Sequence, residues 1–168
     1  KLLITLWKVK IRSIQWCGVI LAVTTKFKVD DTLDMAIFEV NIKAQIEAGV
    51  SGIILGGTLG EASTLTDEEK KVLITKTVEL VKGKVPVIIN IAEQSTKNAF
   101  EAAKKAKEYG ATGLMMLPPM RYKADSRETV NYFKKVASST TLPIMIYNNP
   151  VDYGIEVTLD MFAELAEC

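Results

Sequence analysis

Histidine is absent from all 168 residues, and with it go Ser-His and Cys-His nucleophile pairs and every histidine-based metal centre. Cysteine is almost as scarce. Cys17 and the terminal Cys168 allow at most one bridge, so no disulfide framework is implied and a reducing, cytoplasmic setting is expected. No apolar run approaches the roughly 18 residues of a membrane span, so no membrane partner is expected. Nor does one sign of charge dominate: 21 Lys plus Arg against 20 Asp plus Glu leave a net +1, which gives nucleic acid no general attraction. Carboxylates, lysines, tyrosines and backbone amides remain for chemistry. A small-molecule ligand is the expected partner, with no cofactor and no metal.

The charge is unevenly placed, because Lys1, Lys8, Lys10, Arg12, Lys26 and Lys28 all precede the first acid, Asp30. A signal peptide would carry its bases before an apolar run, whereas Leu2 to Trp7 is short and bases come after it. Residues 1–14 therefore read as a non-conforming N-terminal extension, and residues 15–168 as one domain or the N-terminal part of one. At 48% hydrophobic composition that domain can bury a core, although the chain is shorter than a typical (β/α)8 barrel of roughly 250 residues.

Short apolar runs alternate with longer amphipathic stretches, the pattern of parallel strands buried on both faces and joined by crossover helices. Strands are expected at Val19 to Thr24, Gly52 to Leu55, Val87 to Ile91, Gly113 to Leu117 and Ile144 to Tyr147. Helices are expected at about 31–48, 67–82, 96–109 and 126–138, with another opening near Thr158. Thr66, Ser95 and Thr158 stand where N-caps belong, Glu69 completes a capping-box pattern, and Gly49, Gly83 and Gly110 stand where left-handed C′ residues belong. The fold class is α/β, and the repeat spacing fits one-eighth of a barrel.

Active sites of parallel α/β folds lie where strands end and βα loops begin. Those positions hold Thr24 and Thr25, the run Gly56-Gly57-Thr58-Leu59-Gly60-Glu61, Asn90, the segment Pro118 to Tyr122, and Tyr147-Asn148-Asn149-Pro150. Glycines at 56, 57 and 60 either bring backbone N–H groups to an anion such as a carboxylate or only make a tight turn; the residues alone leave both open. Tyr147 is either a proton relay or a half-buried packing residue with its hydroxyl at the rim. Arg121 and Lys123 could bind an anion, but loop cations are commonly solvated and neither is singled out.

Gly57-Thr58-Leu59-Gly60-Glu61, Leu65 to Glu69, Pro86-Val87-Ile88, Ser95-Thr96 and Leu142 to Pro150, in that order and spacing, resemble the dihydrodipicolinate synthase and N-acetylneuraminate lyase superfamily. The resemblance runs from about Gln15 to the C-terminus. It implies a (β/α)8 TIM barrel, of which about five βα units are present, and a class I aldolase-type lyase whose lysine forms a Schiff base with a 2-oxo acid. It further implies that Gly57, Thr58, Leu59 and Gly60 hold the substrate carboxylate, that Tyr147 shuttles protons, and that the full-length protein is a homo-oligomer.

Three positions depart from the synthase pattern. Leu59 stands in place of a second threonine, Met120 in place of a second relay tyrosine, for which the nearby Tyr122 is the candidate replacement, and Asp152 in place of an arginine that meets a second carboxylate. Leu117 to Asp125, read with Tyr147 to Pro150, looks more like the branch containing 1-pyrroline-4-hydroxy-2-carboxylate deaminases of hydroxyproline breakdown. The Schiff-base lysine, at the end of a sixth strand, is expected beyond Cys168, so the chain read as C-terminally truncated is expected to be inert. The competing reading is a catalytically silent barrel fragment serving as a carboxylate-binding or regulatory module.

Overall fold

The computed structural model describes residues 14–119 and 122–167. Most of the N-terminal extension, together with Met120, Arg121 and Cys168, lies outside the described residues. Five parallel strands, β1 (Ile20–Ala22), β2 (Gly52–Leu55), β3 (Val87–Ile91), β4 (Gly113–Met116) and β5 (Ile144–Ile146), pair in sequential order β1-β2-β3-β4-β5. Helices α1 (Met35–Glu47), α2 (Asp67–Val81), α3 (Thr96–Glu108), α4 (Ser126–Ser139), α5 (Pro150–Tyr153) and α6 (Leu159–Leu165) lie between and after them.

Because side chains alternate across a strand, each strand feeds two apolar layers. The larger core lies between sheet and helices, where Ile53, Val87, Ile89, Leu114 and Met116 meet helical residues such as Phe38, Leu73 and Val136. The smaller lies on the other face, where Ile54, Ile88, Met115 and Leu117 pack together with Ile14, Ile20, Met145 and Tyr153 against them. Strands β2 and β4 are buried throughout, whereas β1 and β5, with one paired neighbour each among the described residues, are only partly covered.

The caps explain where helices start. Thr66 and Glu69 form the expected capping box, and Asp125 with Glu128 forms a second. Ser95 and Thr158 cap α3 and α6. Helix α1 begins later than expected, capped by Asp34, because Phe27 and Leu33 bridge and Asp30 accepts hydrogen bonds from Thr32, holding the preceding residues in a loop. Gly49, Gly83 and Gly110 are all left-handed after their helices, as expected, and at α2 the cap residue Lys82, at φ 49°, is left-handed as well. Strands end sooner than their apolar runs. Val23, Leu117 and Tyr147 each donate one further ladder bond, to Ile54, Ile91 and Met116, before the chain leaves the sheet.

Candidate active site

Two residues beyond the inner-face residues Ile54, Ile88 and Met145, on the same side of the alternation, stand Gly56, Asn90 and Tyr147. The inner face thus changes from apolar to polar at the C-terminal ends of its strands. A cavity of about 490 Å³ opens there, lined by Gly56, Thr58, Asn90, Leu117 and Tyr153, with Lys70 of α2 and Glu93 on its wall.

The loop after β2 is built from backbone. Gly56 turns the chain at φ 65°, Gly57 is extended at φ −69°, and Thr58–Gly60 form one 3₁₀ turn closed by a left-handed Glu61. Gly60 and Glu61 donate their N–H groups within the turn, to the carbonyls of Gly57 (2.9 Å) and Thr58 (3.1 Å). The amides of Thr58 and Leu59, in the first turn, have no acceptor inside it. Gly60 is buried so closely that an added Cβ would lie 3.0 Å from the Val23 carbonyl. Two side chains pin this loop at its ends: buried Thr25 Oγ1 donates to the Gly60 carbonyl at 2.6 Å, and Asn90 Nδ2 donates to the Gly56 carbonyl at 2.8 Å. The Gly56 carbonyl fixes which amide atom faces it, leaving Asn90 Oδ1 buried without a partner among the described residues.

The loop after β5 is built from side chains instead. Asn148 clasps Val157 with two bonds, Nδ2 donating to the Val157 carbonyl (2.9 Å) and Oδ1 accepting from its N–H (3.0 Å). Asn149 caps α5, accepting from Asp152 N at 3.3 Å while its Nδ2 donates to Asp152 Oδ2 at 2.6 Å. Pro150 opens this single turn and a left-handed Gly154 closes it, which brings Tyr153 back to Tyr147. The two rings meet edge to face, 6.0 Å between centroids at 63°.

The expected residues are thus distributed unequally. Thr58 lines the cavity; Gly57 and Gly60 shape the turn behind it, and Leu59 projects outward at 76% exposure. Tyr147 is 41% exposed at the rim and connects to the cavity through Tyr153. The second phenol at this site is Tyr153, a residue that sequence reasoning passes over. Its signal lies in the spacing of Asn149, Pro150 and Gly154, which marks a cap, a first-turn proline and a left-handed stop around one helical turn. A third tyrosine, Tyr132 on α4, is buried away from this cavity; burial, with the charge of Glu93 adding, pushes its phenol far above the ordinary range. Among the described residues no group of three acidic or thiol side chains is placed to hold a metal, and no helix is long and apolar enough to cross a membrane.

Residues 15–168 match the Dihydrodipicolinate synthetase family. A 4-hydroxy-tetrahydrodipicolinate synthase from Thermotoga neapolitana is 35% identical over 149 residues, covering 89% of this chain and 50% of that protein. An uncharacterised DapA-like lyase from Rhizobium meliloti is 36% identical over 152 residues, covering 90% of this chain and 50% of the relative. Among solved structures, YagE, a prophage protein of the dihydrodipicolinic acid synthase family from E. coli K12 crystallised with pyruvate, superposes with a TM-score of 0.85 at 33% identity. That match covers 91% of this chain and 51% of YagE. The chain therefore spans about half the length of the relatives it matches, and its five βα units are the α/β architecture of barrels in that family.

Proposed function

The chain belongs to the dihydrodipicolinate synthetase family, and on that premise we propose that the whole protein is a class I, Schiff-base lyase or hydro-lyase acting on a small 2-oxo acid or cyclic imine carboxylate. The observation that carries this reading is the pinned 3₁₀ turn, which presents Thr58 and two first-turn amides beside the cavity at the strand ends. Donors held in place before a ligand arrives stabilise an anion without reorganising, so the substrate carboxylate binds at Thr58 and the Thr58 and Leu59 amides. Gly57 and Gly60 contribute the turn's shape. The Tyr147 phenol passes a proton to the carbonyl oxygen that leaves as water when the imine forms, and recovers it when the imine is hydrolysed. A protonated imine then accepts the electron pair of the bond broken next to it.

The last residues of β1–β5 are Ala22, Leu55, Ile91, Met116 and Ile146, none of them a lysine. The family resemblance implies that the imine-forming lysine stands at the end of a sixth strand, and on that reading the chain by itself is proposed to be inert. Asp152, engaged by Asn149, puts an acid where the synthases carry an arginine, which supports a substrate with a single carboxylate, such as the cyclic imine of hydroxyproline breakdown. A homo-oligomeric whole protein belongs to the same reading.

The test is borohydride trapping with pyruvate and, separately, with a 4-hydroxy-pyrroline carboxylate, followed by intact mass and peptide mapping. It is run on this chain and on the protein made from its complete reading frame. The expected result is an adduct on the complete protein alone, at a lysine beyond residue 168. An adduct on Lys70 would move the chemistry to the α2 wall of the cavity. Carboxylate binding with no adduct on a folded complete protein would replace the lyase with a carboxylate-binding module.

A further inference from the structure

We propose that Tyr153 is a positioning residue for Tyr147, setting the orientation of the phenol that moves the proton; this rests on the lyase reading of the whole protein. Tyr147 is 41% exposed, and its hydroxyl has no hydrogen bond to the described residues. A phenol so placed is free to swing about its side-chain torsions unless something selects one position. Tyr153 supplies that selection through the edge-to-face contact, 6.0 Å and 63°. An aromatic pair of this kind is worth roughly a two- to tenfold preference for one arrangement.

Tyr153 itself is held firmly. It is the last residue of α5, its N–H donates to the Asn149 carbonyl at 3.1 Å, and the next residue, Gly154, donates to the Pro150 carbonyl at 3.0 Å. Its partly buried side chain packs against the inner-face cluster formed by Ile54, Ile88, Met115 and Leu117 and lines the same cavity as Thr58. One ring is thus fixed by the core and the other, at the rim, leans on it. Through Tyr153, the loop that carries the phenol is mechanically continuous with the wall of the carboxylate site.

The experiment compares Tyr153→Leu, which keeps apolar volume, with Tyr153→Phe, which keeps the ring, each alone and combined with Tyr147→Phe, in protein from the complete reading frame. Turnover of a 2-oxo acid shown by the borohydride test to form the imine, measured without borohydride, and the ring-proton NMR signals of Tyr147 are read together. Tyr153→Leu is expected to lower kcat roughly three- to tenfold while KM moves less than about twofold, and Tyr153→Phe to recover most of the loss. On a Tyr147→Phe background, Tyr153→Leu is expected to cost nothing more, because it acts only through Tyr147. Tyr147 ring signals that do not shift in Tyr153→Leu, additive losses in the double variant, or a Phe variant as impaired as the Leu variant would each overturn the proposal. If the unsubstituted protein forms no adduct with any 2-oxo acid, the lyase reading falls, and the Tyr147 ring signals alone then decide whether Tyr153 holds that ring.

Discussion

The loops after β2 and β5 meet at the same end of the sheet, yet they are made rigid in opposite ways. The first has backbone atoms as its working parts, and neighbouring strands contribute the clamps: Thr25 from beyond β1 and Asn90 from β3. The second has side chains as its working parts and clamps itself through Asn148 and Asn149. The difference fits the role proposed for each. Amide donors for a carboxylate must be aimed by the chain itself, which requires tight geometry such as the close approach of Gly60 to Val23. A proton-relaying phenol needs one good ring orientation and access to water, so a single aromatic contact at a partly exposed rim is enough.

Substitutions in either loop put this contrast at risk. Asn148→Ala removes both bonds to buried Val157 and leaves its N–H and carbonyl without partners, an expected cost of about 2–3 kcal/mol in urea unfolding. A loss below about 0.5 kcal/mol would mean that the β5 loop is held by something other than its own clasp. Thr25→Val removes one buried hydroxyl donor and should cost about 1–2 kcal/mol by the same measurement, while weakening carboxylate binding because the 3₁₀ turn loses one pin. If binding is unchanged, the strand-to-loop clamp is structural only.

The smallest effect lies away from both loops. Asp67 at the start of α2 is held below the ordinary carboxylate range chiefly by the hydrogen bond from Lys105 of α3, with the charge of Lys105 adding to it. A depressed carboxylate contributes stability that is complete above its unfolded value and is lost as pH falls through its folded one. Both side chains are substantially exposed, so the contribution is minor. Asp67→Asn should therefore lower Tm slightly at neutral pH and converge with the unsubstituted protein in acid. A gap that widened on acidification would contradict the sign.

Much of the fold is legible because buried parallel strands are continuous apolar runs and because capping residues mark helix starts; all five strands and the Thr66–Glu69 box follow from those two rules. The strand ends at Val23, Leu117 and Tyr147 are harder to place. Their side chains continue the apolar run and their N–H groups continue the ladder by one bond, although the strand is already over. Helix α1 is shorter than its pattern suggests because the local bonds of Asp30 and Thr32 leave no mark on hydrophobic period. At the site, the glycine loop is visible as a pattern but cannot be apportioned from it, since only packing decides that Gly60 yields to Val23 while Thr58 faces the cavity. Tyr153 stays hidden because one helical turn is too short for periodicity and its contact with Tyr147 exists only once that turn is folded.

The central claim is that the loop after β2 receives the carboxylate while the loop after β5 serves the proton. A crystal structure of the complete protein after borohydride trapping with pyruvate tests it most directly. The account predicts the carboxylate within hydrogen-bond reach of the Thr58 hydroxyl and the Thr58 and Leu59 amides, with the Tyr147 phenol on the side of the reduced imine. A carboxylate seated instead against Lys70, with the 3₁₀ turn empty, would contradict it.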